Sequence, residues 1–170
     1  AVGLNHIMTV HNNKYKVTNK SGTQLTYVDA QAFWNGATGY GTTGNLAKGH
    51  SDPHVLYNHY QDRWILIAQS NMDGGSALMV AFSTSGDPTG TWNRYIIDVD
   101  ATNVYGFDYP LLGFNQNWLV VTGNMFPIAG GSAVYNQIYI LSISNLAAGG
   151  ALVFSGGGEN AQMIQSTTAT

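Results

Sequence analysis

Residues 52–58 read Asp-Pro-His-Val-Leu-Tyr-Asn, and residues 108–115 read Asp-Tyr-Pro-Leu-Leu-Gly-Phe-Asn. Each stretch runs from an aspartate through a proline and apolar residues to an aromatic residue and an asparagine. A tryptophan that leads an apolar strand follows each stretch, Trp64 in the first case and Trp118 in the second. We expect the two tryptophans to be structural counterparts that pack between sheets, and we expect Asp52 and Asp108 to be equivalent.

A weaker third copy opens the chain, where Asn5 precedes Asn58 by a similar interval. Short strand-like runs separated by Gly, Asn, Asp and Pro fill each period. A period of about 50 to 60 residues with about four short strands is typical of β-propeller blades, which are small antiparallel sheets stacked face to face. We predict an all-β chain, a single partial propeller domain over residues 1–170, with about three four-stranded blades near residues 1–50, 51–106 and 107–170. The alternative is an open β-sandwich with coincidental repetition.

The composition suits a β-type chain and limits its partners. Charged residues make up 9% of the chain, against about 25% in a typical soluble domain. The net charge is −3 without a basic cluster, which argues against a nucleic-acid partner. Apolar runs reach about six residues, short of the roughly 20 that a spanning helix needs, so we expect no membrane span. The chain has no Cys, which excludes disulfides and thiolate chemistry.

Closed propellers have about 4–8 blades, so we expect the remaining blades to come from a longer chain or another subunit. A neutral surface rich in Asn, Thr and Gly is common in extracellular bacterial proteins. The first ten residues lack the pattern of a signal peptide. We therefore predict a secreted or cell-surface protein whose leader is not in this chain.

Residues 83–92, Ser-Thr-Ser-Gly-Asp-Pro-Thr-Gly-Thr-Trp, resemble the Asp-box, a hairpin turn of sialidase-like propellers. The turn departs from that pattern because Pro88 is inserted and Gly90 comes one place later. We expect Asp87 to accept turn amides, Gly90 to adopt a positive φ, and Trp92 to pack between sheets. These roles are structural.

Three further stretches, residues 1–6, 51–55 and 107–113, resemble secreted bacterial β-propellers of uncharacterised function. This resemblance spans nearly the whole chain and implies the fold, but it carries no activity. The leading hypothesis is a non-catalytic extracellular propeller that binds a glycan or a protein or builds a surface assembly. The alternative is a sialidase-like or other glycoside hydrolase, and we lean away from an enzyme.

The residues that open the inner strand of a blade lie near the central channel. The candidate ligand-binding residues are accordingly Asp52, His54, Asp108 and Tyr109. Asp52 is also the candidate catalytic base, although a repeated aspartate favours a capping role. Glycoside hydrolysis requires a second carboxylic acid. The chain offers Glu159, Asp73 or Asp98 for that role.

Two metal sites and several aromatic residues complete the candidates. His50, Asp52 and His54 alternate, so an extended strand would point all three side chains the same way, as Zn²⁺ ligation requires. The second candidate is a loop that resembles a calcium-binding loop with irregular spacing. Its ligands would be the carboxylates of Asp98 and Asp100 and the side-chain amide of Asn103. We otherwise expect no cofactor. Four aromatic residues in loop-like stretches could stack on sugars or pack between sheets: Trp34, Tyr40, Tyr60 and Tyr105.

Overall fold

The computed structural model describes residues 1–35, 37, 49–70, 75–155 and 158–166. Within these ranges the chain is all-β, which confirms the predicted class, and it contains two short helices. The strands are β1 (His6–His11), β2 (Lys14–Asn19), β3 (Gln24–Asp29), β4 (Ser51–Asn58), β5 (Arg63–Gln69), β6 (Ala77–Ser83), β7 (Trp92–Asp98), β8 (Tyr105–Phe114), β9 (Trp118–Pro127), β10 (Tyr135–Ser142) and β11 (Ala161–Gln165). The helices are α1 (Ala30–Trp34) and α2 (Ile143–Ala148).

The strands form three antiparallel sheets in chain order. Sheet 1 contains β1-β2-β3, sheet 2 contains β4-β5-β6-β7, and sheet 3 contains β8-β9-β10-β11. Sheet 1 corrects the expectation of four strands in every sheet. At its edge, residues 1–3 pair with β1 through a bridge between Val2 and Ile7, main-chain hydrogen bonds between Ala1 and Met8, and a hydrogen bond from the N–H of Gly3 to the carbonyl oxygen of His6. Sheet 1 therefore has the remnant of a first strand where the other sheets have β4 and β8.

Sheet 2 lies between two hydrophobic clusters, one shared with each neighbouring sheet. Ile65 and Ile67 pack toward sheet 3, whereas Trp64 and Leu66 pack toward sheet 1. We call the face of a sheet that points to the following sheet its front face and the opposite face its back face. Because sheet 2 is covered on both faces, β6 is buried throughout and shows an unbroken apolar run instead of alternation.

The register of sheets 2 and 3 corrects the expected match of the two tryptophans. Tyr57 pairs with Trp64, whereas Phe114 pairs with Leu119. This pairing makes Leu119 the counterpart of Trp64. Sequence alignment misses the match because the turn that leads into β9 is shorter than the turn that leads into β5. Trp64 is fully buried, but Trp118 is 41% exposed on the other face of its strand. The prediction that Trp64 and Trp118 are equivalent is wrong by one residue.

The turn between β6 and β7 is organised by Asp87. Its Oδ1 accepts hydrogen bonds from the main-chain N–H of Thr89 at 2.9 Å and from the Thr89 hydroxyl at 2.7 Å. The hydroxyl bond is the main cause that lowers the pKa of the Asp87 carboxyl. The buried Trp92 donates its Nε1–H to the carbonyl oxygen of Pro88 at 3.1 Å. Gly90 does not adopt the expected positive φ. A Cβ there would lie 3.4 Å from the Asp87 carbonyl oxygen, an ordinary van der Waals contact, so neither its backbone conformation nor its packing requires a glycine.

Both helices begin with side-chain caps. Asp29 accepts the N–H groups of Gln31 and Ala32 at the start of α1, and Ser142 accepts that of Asn145 at the start of α2. Side-chain acceptors of this kind satisfy N–H groups that have no partner within a helix.

In the part of the chain that the structure describes, neither helix has the length and hydropathy to cross a membrane.

Candidate functional site

The first strands of sheets 2 and 3 contain the same irregularity. The register shifts between Ser51 and His54 in β4 and between Asp108 and Leu111 in β8. In both places two residues, the second of them proline, lie opposite one residue of the neighbouring strand, which is a β-bulge. Both strands are edge strands, where proline is tolerated because its missing N–H costs no ladder bond. We call the bulge edge the surface formed at these two bulges by Asp52, Pro53, Asp108 and Tyr109.

The bulges correct the expected equivalence of Asp52 and Asp108. Counted from the prolines, Asp52 corresponds to Tyr109, and Asp108 corresponds to Ser51. Asp52 and Tyr109 share a left-handed backbone, with φ values of 48° and 56°. Steric clashes disfavour this region for a residue with a Cβ, and a following proline restricts it further. Each such residue costs about 1–3 kcal/mol and persists only where its surroundings hold it in place.

A side-chain amide from the preceding sheet holds each bulge. The main-chain N–H of Asp52 donates to Oδ1 of Asn12 at 2.9 Å, and that of Tyr109 donates to Oε1 of Gln69 at 2.7 Å. The Nε2–H of Gln69 also donates to Oδ1 of Asp108 at 2.6 Å. Sequence analysis missed both amides. The available signal for Gln69 was a polar residue directly after the apolar run of residues 64–68 in β5. Its side chain is buried, with only 3% of it exposed.

The Gln69 bridge predicts a specific loss of stability. We expect Gln69→Ala to lower the free energy of unfolding by about 1–3 kcal/mol, because the N–H of Tyr109 and the carboxylate of Asp108 lose their partner in a partly buried place. Asn12→Ala is the matched variant, and its bond is exposed, so we expect a loss of about 0.5–1.5 kcal/mol. Urea unfolding followed by far-UV circular dichroism measures both. Equal losses would contradict the difference in burial.

The bulge edge presents hydrogen-bonding groups beside one exposed ring. Tyr109 is 61% exposed, while Asp52, His54 and Asp108 are partly exposed. Strands β4 and β8 contact each other, so the two bulges lie on neighbouring strands. An exposed aromatic face can stack on an apolar face of a ligand, and carboxylate oxygens accept hydrogen bonds from its hydroxyl groups. This combination suits the binding of a sugar.

His50, Asp52 and His54 do not form the metal site that their spacing predicts. The bulge at Asp52 and Pro53 interrupts the alternation of side chains on which that prediction depends. Among the residues that the structure describes, three or more His, Cys, Asp or Glu side chains are nowhere grouped as metal ligands. Burial lowers the pKa of His50 and favours its neutral form. The zinc prediction is therefore wrong.

The predicted calcium loop uses its carboxylates on its own backbone. Asp98 accepts the N–H of Asp100 at 3.0 Å. The Asp100 carboxylate accepts the N–H groups of Thr102 at 3.0 Å and of Tyr105 at 2.8 Å. Asn103 adopts a left-handed φ of 55° within the same turn. These bonds account for the Asp-rich sequence as the connection between β7 and β8, without a calcium ion.

The remaining aromatic candidates are Trp34, Tyr105, Tyr60 and Tyr40. Trp34 is fully buried in the cluster between sheets 1 and 2. Tyr105 packs edge-on against Tyr135, with ring centroids 5.3 Å apart. Tyr60 is exposed in the turn between β4 and β5. Tyr40 lies outside the residues that the structure describes.

The acids considered for hydrolysis are not placed as a general acid would be. Asp98 and Glu159 are exposed, whereas a general acid of glycoside hydrolysis is typically desolvated. Asp73 lies outside the described residues.

Comparisons of the chain with protein-family models, with curated proteins and with solved structures found no match. Function is therefore inferred from the geometry of the bulge edge.

Proposed function

We propose that this chain supplies consecutive blades of a secreted or cell-surface β-propeller that binds a glycan, without catalysis, at the bulge edge. The stacking supports the propeller, because sheet 2 packs its back face on sheet 1 and its front face on sheet 3. The first strands β4 and β8 also contact each other, as inner strands around a common axis do. The remaining blades come from a longer chain or another subunit.

The observation that carries the binding proposal is the repeated bulge. A left-handed residue before proline is costly, and here it occurs twice at corresponding positions, each time with a dedicated amide acceptor. Stored strain of this kind clusters at ligand sites. In sheet 3 the same backbone presents the ring of Tyr109 to solvent next to Asp108. Binding a glycan through stacking and hydroxyl hydrogen bonds requires no acid–base pair.

The proposal predicts that Tyr109→Gly weakens glycan binding and leaves the fold intact. Glycine adopts a positive φ without steric cost, so we expect the free energy of unfolding to stay the same or rise by up to about 1 kcal/mol. Loss of the stacked ring removes about 0.5–1.5 kcal/mol beyond its buried area, so we expect affinity to fall at least about tenfold. A glycan array identifies the ligand, and isothermal titration calorimetry measures the affinity.

Tyr27→Ala is the matched control for this experiment. Tyr27 is similarly exposed but lies on sheet 1, away from the bulges, so the variant should bind as the unsubstituted chain does. Equal affinity of the Tyr109→Gly variant, or a chain that binds nothing on the array, would remove the proposal. Release of reducing sugar that Asp52→Asn abolishes would replace it with the glycoside hydrolase alternative.

A further inference from the structure

A cleft lies along the β7 edge of sheet 2, across that sheet from the first strand β4 and its bulge. Its wider part is a cavity of about 620 Å³ between residues 94–98 of β7 and residues 149–152, which follow α2. A smaller cavity of about 120 Å³ shares Ile97, Asp98 and Phe154 with the wider one and reaches β10. The cleft therefore leads from the edge of β7 into the interface between sheets 2 and 3.

Two buried polar side chains line the smaller cavity and lack a hydrogen-bond partner there. Gln137 and Tyr139 are only 1% and 2% exposed, and their side chains lie on the same face of β10. Nε2 of Gln137 donates to the carbonyl oxygen of Val99 at 3.2 Å, so its Oε1 is the acceptor that remains. No described residue hydrogen-bonds to that Oε1 or to the Tyr139 hydroxyl. Because buried polar groups in folded proteins are nearly always hydrogen-bonded, a group bound in this cavity would satisfy both side chains.

The groups that line the smaller cavity suit an ammonium on an alkyl chain. Oε1 of Gln137, the Tyr139 hydroxyl oxygen and the Asp98 carboxylate all accept hydrogen bonds, and an alkylammonium carries three donors on one atom. Within its own turn, Asp98 accepts the N–H of Asp100 through Oδ1, which leaves Oδ2 for a ligand. Burial, and after it the negative charge of Asp98, raises the pKa of the Tyr139 hydroxyl, so the carboxylate lies within electrostatic range of the cavity. The rings of Tyr139 and Phe154 lie edge-on with centroids 6.3 Å apart, and such rings pack on methylene groups and attract a cation.

The main chain that carries the ammonium has a place along β7, which is the last strand of sheet 2. The N–H of Val99 donates to the carbonyl oxygen of Ser76, and hydrogen-bonded pairs alternate along an antiparallel ladder. The main-chain N–H and C=O groups of Arg94 and Ile96 therefore point away from β6, and no described residue pairs with them. A free edge of this kind accepts an extended peptide as an additional strand, whose side chains point alternately to the two faces of the sheet.

We propose that this cleft binds an extended, lysine-containing segment of a partner protein. The segment pairs with the edge of β7, and its lysine places the ammonium against Gln137, Tyr139 and Asp98. The lysine methylenes pack along Ile97 and Phe154, and the net charge of −3 favours a cationic partner. The cleft shares no residue with the bulge edge, so the proposal does not rest on glycan binding.

The test titrates the peptide acetyl-Thr-Val-Lys-Val-Thr-amide into the isotope-labelled full chain, with the affinity measured by nuclear magnetic resonance. The same peptide with norleucine in place of lysine should bind at least about tenfold more weakly, because hydrogen bonds from a charged donor are the strong ones. The n-butylammonium ion alone should also bind at least about tenfold more weakly, because it lacks the main chain that pairs with β7. The peptide should slow hydrogen exchange at the N–H groups of Arg94 and Ile96, and n-butylammonium should not.

Tyr139→Phe removes the unpartnered hydroxyl and tests the inner part of the cleft. We expect the dissociation constant of the lysine peptide to rise about two- to tenfold. The unfolding temperature should stay the same or rise, because no described group loses a partner. Tyr135→Phe, on the same strand but outside the cleft, is the matched control and should bind as the unsubstituted chain does. Tyr109→Gly should also bind the peptide unchanged, which separates this site from the bulge edge.

Asp98→Asn removes the negative charge and keeps an acceptor for the N–H of Asp100. Because Asp98 is exposed, we expect the affinity for the lysine peptide to fall only about two- to fivefold. Equal affinity for the lysine and norleucine peptides, unchanged affinity of the Tyr139→Phe variant, or no binding of the lysine peptide at millimolar concentration would overturn the proposal. If n-butylammonium binds as tightly as the peptide, the cleft takes a free amine and the peptide partner is refuted.

Discussion

Trp64→Ala is expected to lower the free energy of unfolding by about 3–5 kcal/mol. The indole is fully buried between sheets 1 and 2. Its ring lies 5.2 Å from that of Tyr57, and its Nε1–H donates to the carbonyl oxygen of Gly86 at 3.0 Å. Gly3 packs so closely that a Cβ there would lie 2.5 Å from the ring. Truncation would leave a cavity lined by two sheets and a carbonyl without its donor.

Trp118→Ala is the control for Trp64→Ala, because the two residues lead strands of similar sequence. Trp118 is 41% exposed, so we expect a loss of at most about 1 kcal/mol. Urea unfolding followed by far-UV circular dichroism avoids a signal that depends on the substituted indole. Losses of similar size would show that Trp118 is buried as Trp64 is, and would contradict the register of sheet 3.

Gly123→Ala is expected to cost about 1–3 kcal/mol by overpacking the interface between sheets 2 and 3. Gly123 lies in β9 opposite the bulge of β8, where the ring of Phe107 fills the space of a side chain. A Cβ at this position would lie 2.3 Å from Cζ of Phe107, and that ring is fully buried in the cluster. The ring cannot move without displacing its neighbours, because protein interiors are close-packed.

Gly113→Ala, in β8 of the same sheet, separates this steric effect from the general effect of glycine in a strand. A Cβ at Gly113 would meet none of the described atoms within 4 Å, so we expect a change within about 0.5 kcal/mol or a small gain. Adding Phe107→Leu to Gly123→Ala should recover part of the lost stability, since a smaller side chain makes room. Thermal unfolding of these three variants measures the three changes in stability. Equal effects of the two glycine substitutions would refute the contact.

The all-β class was predictable because its signals lie within a few residues of one another. Strand β6 shows the apolar run of a strand buried on both faces, and β1 shows the alternation of a strand with one wet face. The turn that carries Asp87 and Pro88 was predictable for the same reason, since its hydrogen bonds join residues two to four positions apart. The metal set at His50 was mispredicted because a bulge breaks the alternation of an extended strand.

Short strands and tight turns in repeated order follow from the amino-acid sequence alone, because side-chain alternation and turn hydrogen bonds depend on neighbours in the chain. The pairing of strands is what makes Leu119 the counterpart of Trp64 and Tyr109 the counterpart of Asp52. The packing of sheets also brings Gln69 to Tyr109, residues separated by 40 positions in the chain. Local sequence does not settle these matches, because a one-residue slip in turn length or register moves every side chain of a strand to the opposite face. Packing between whole sheets, and not any local preference, selects the register.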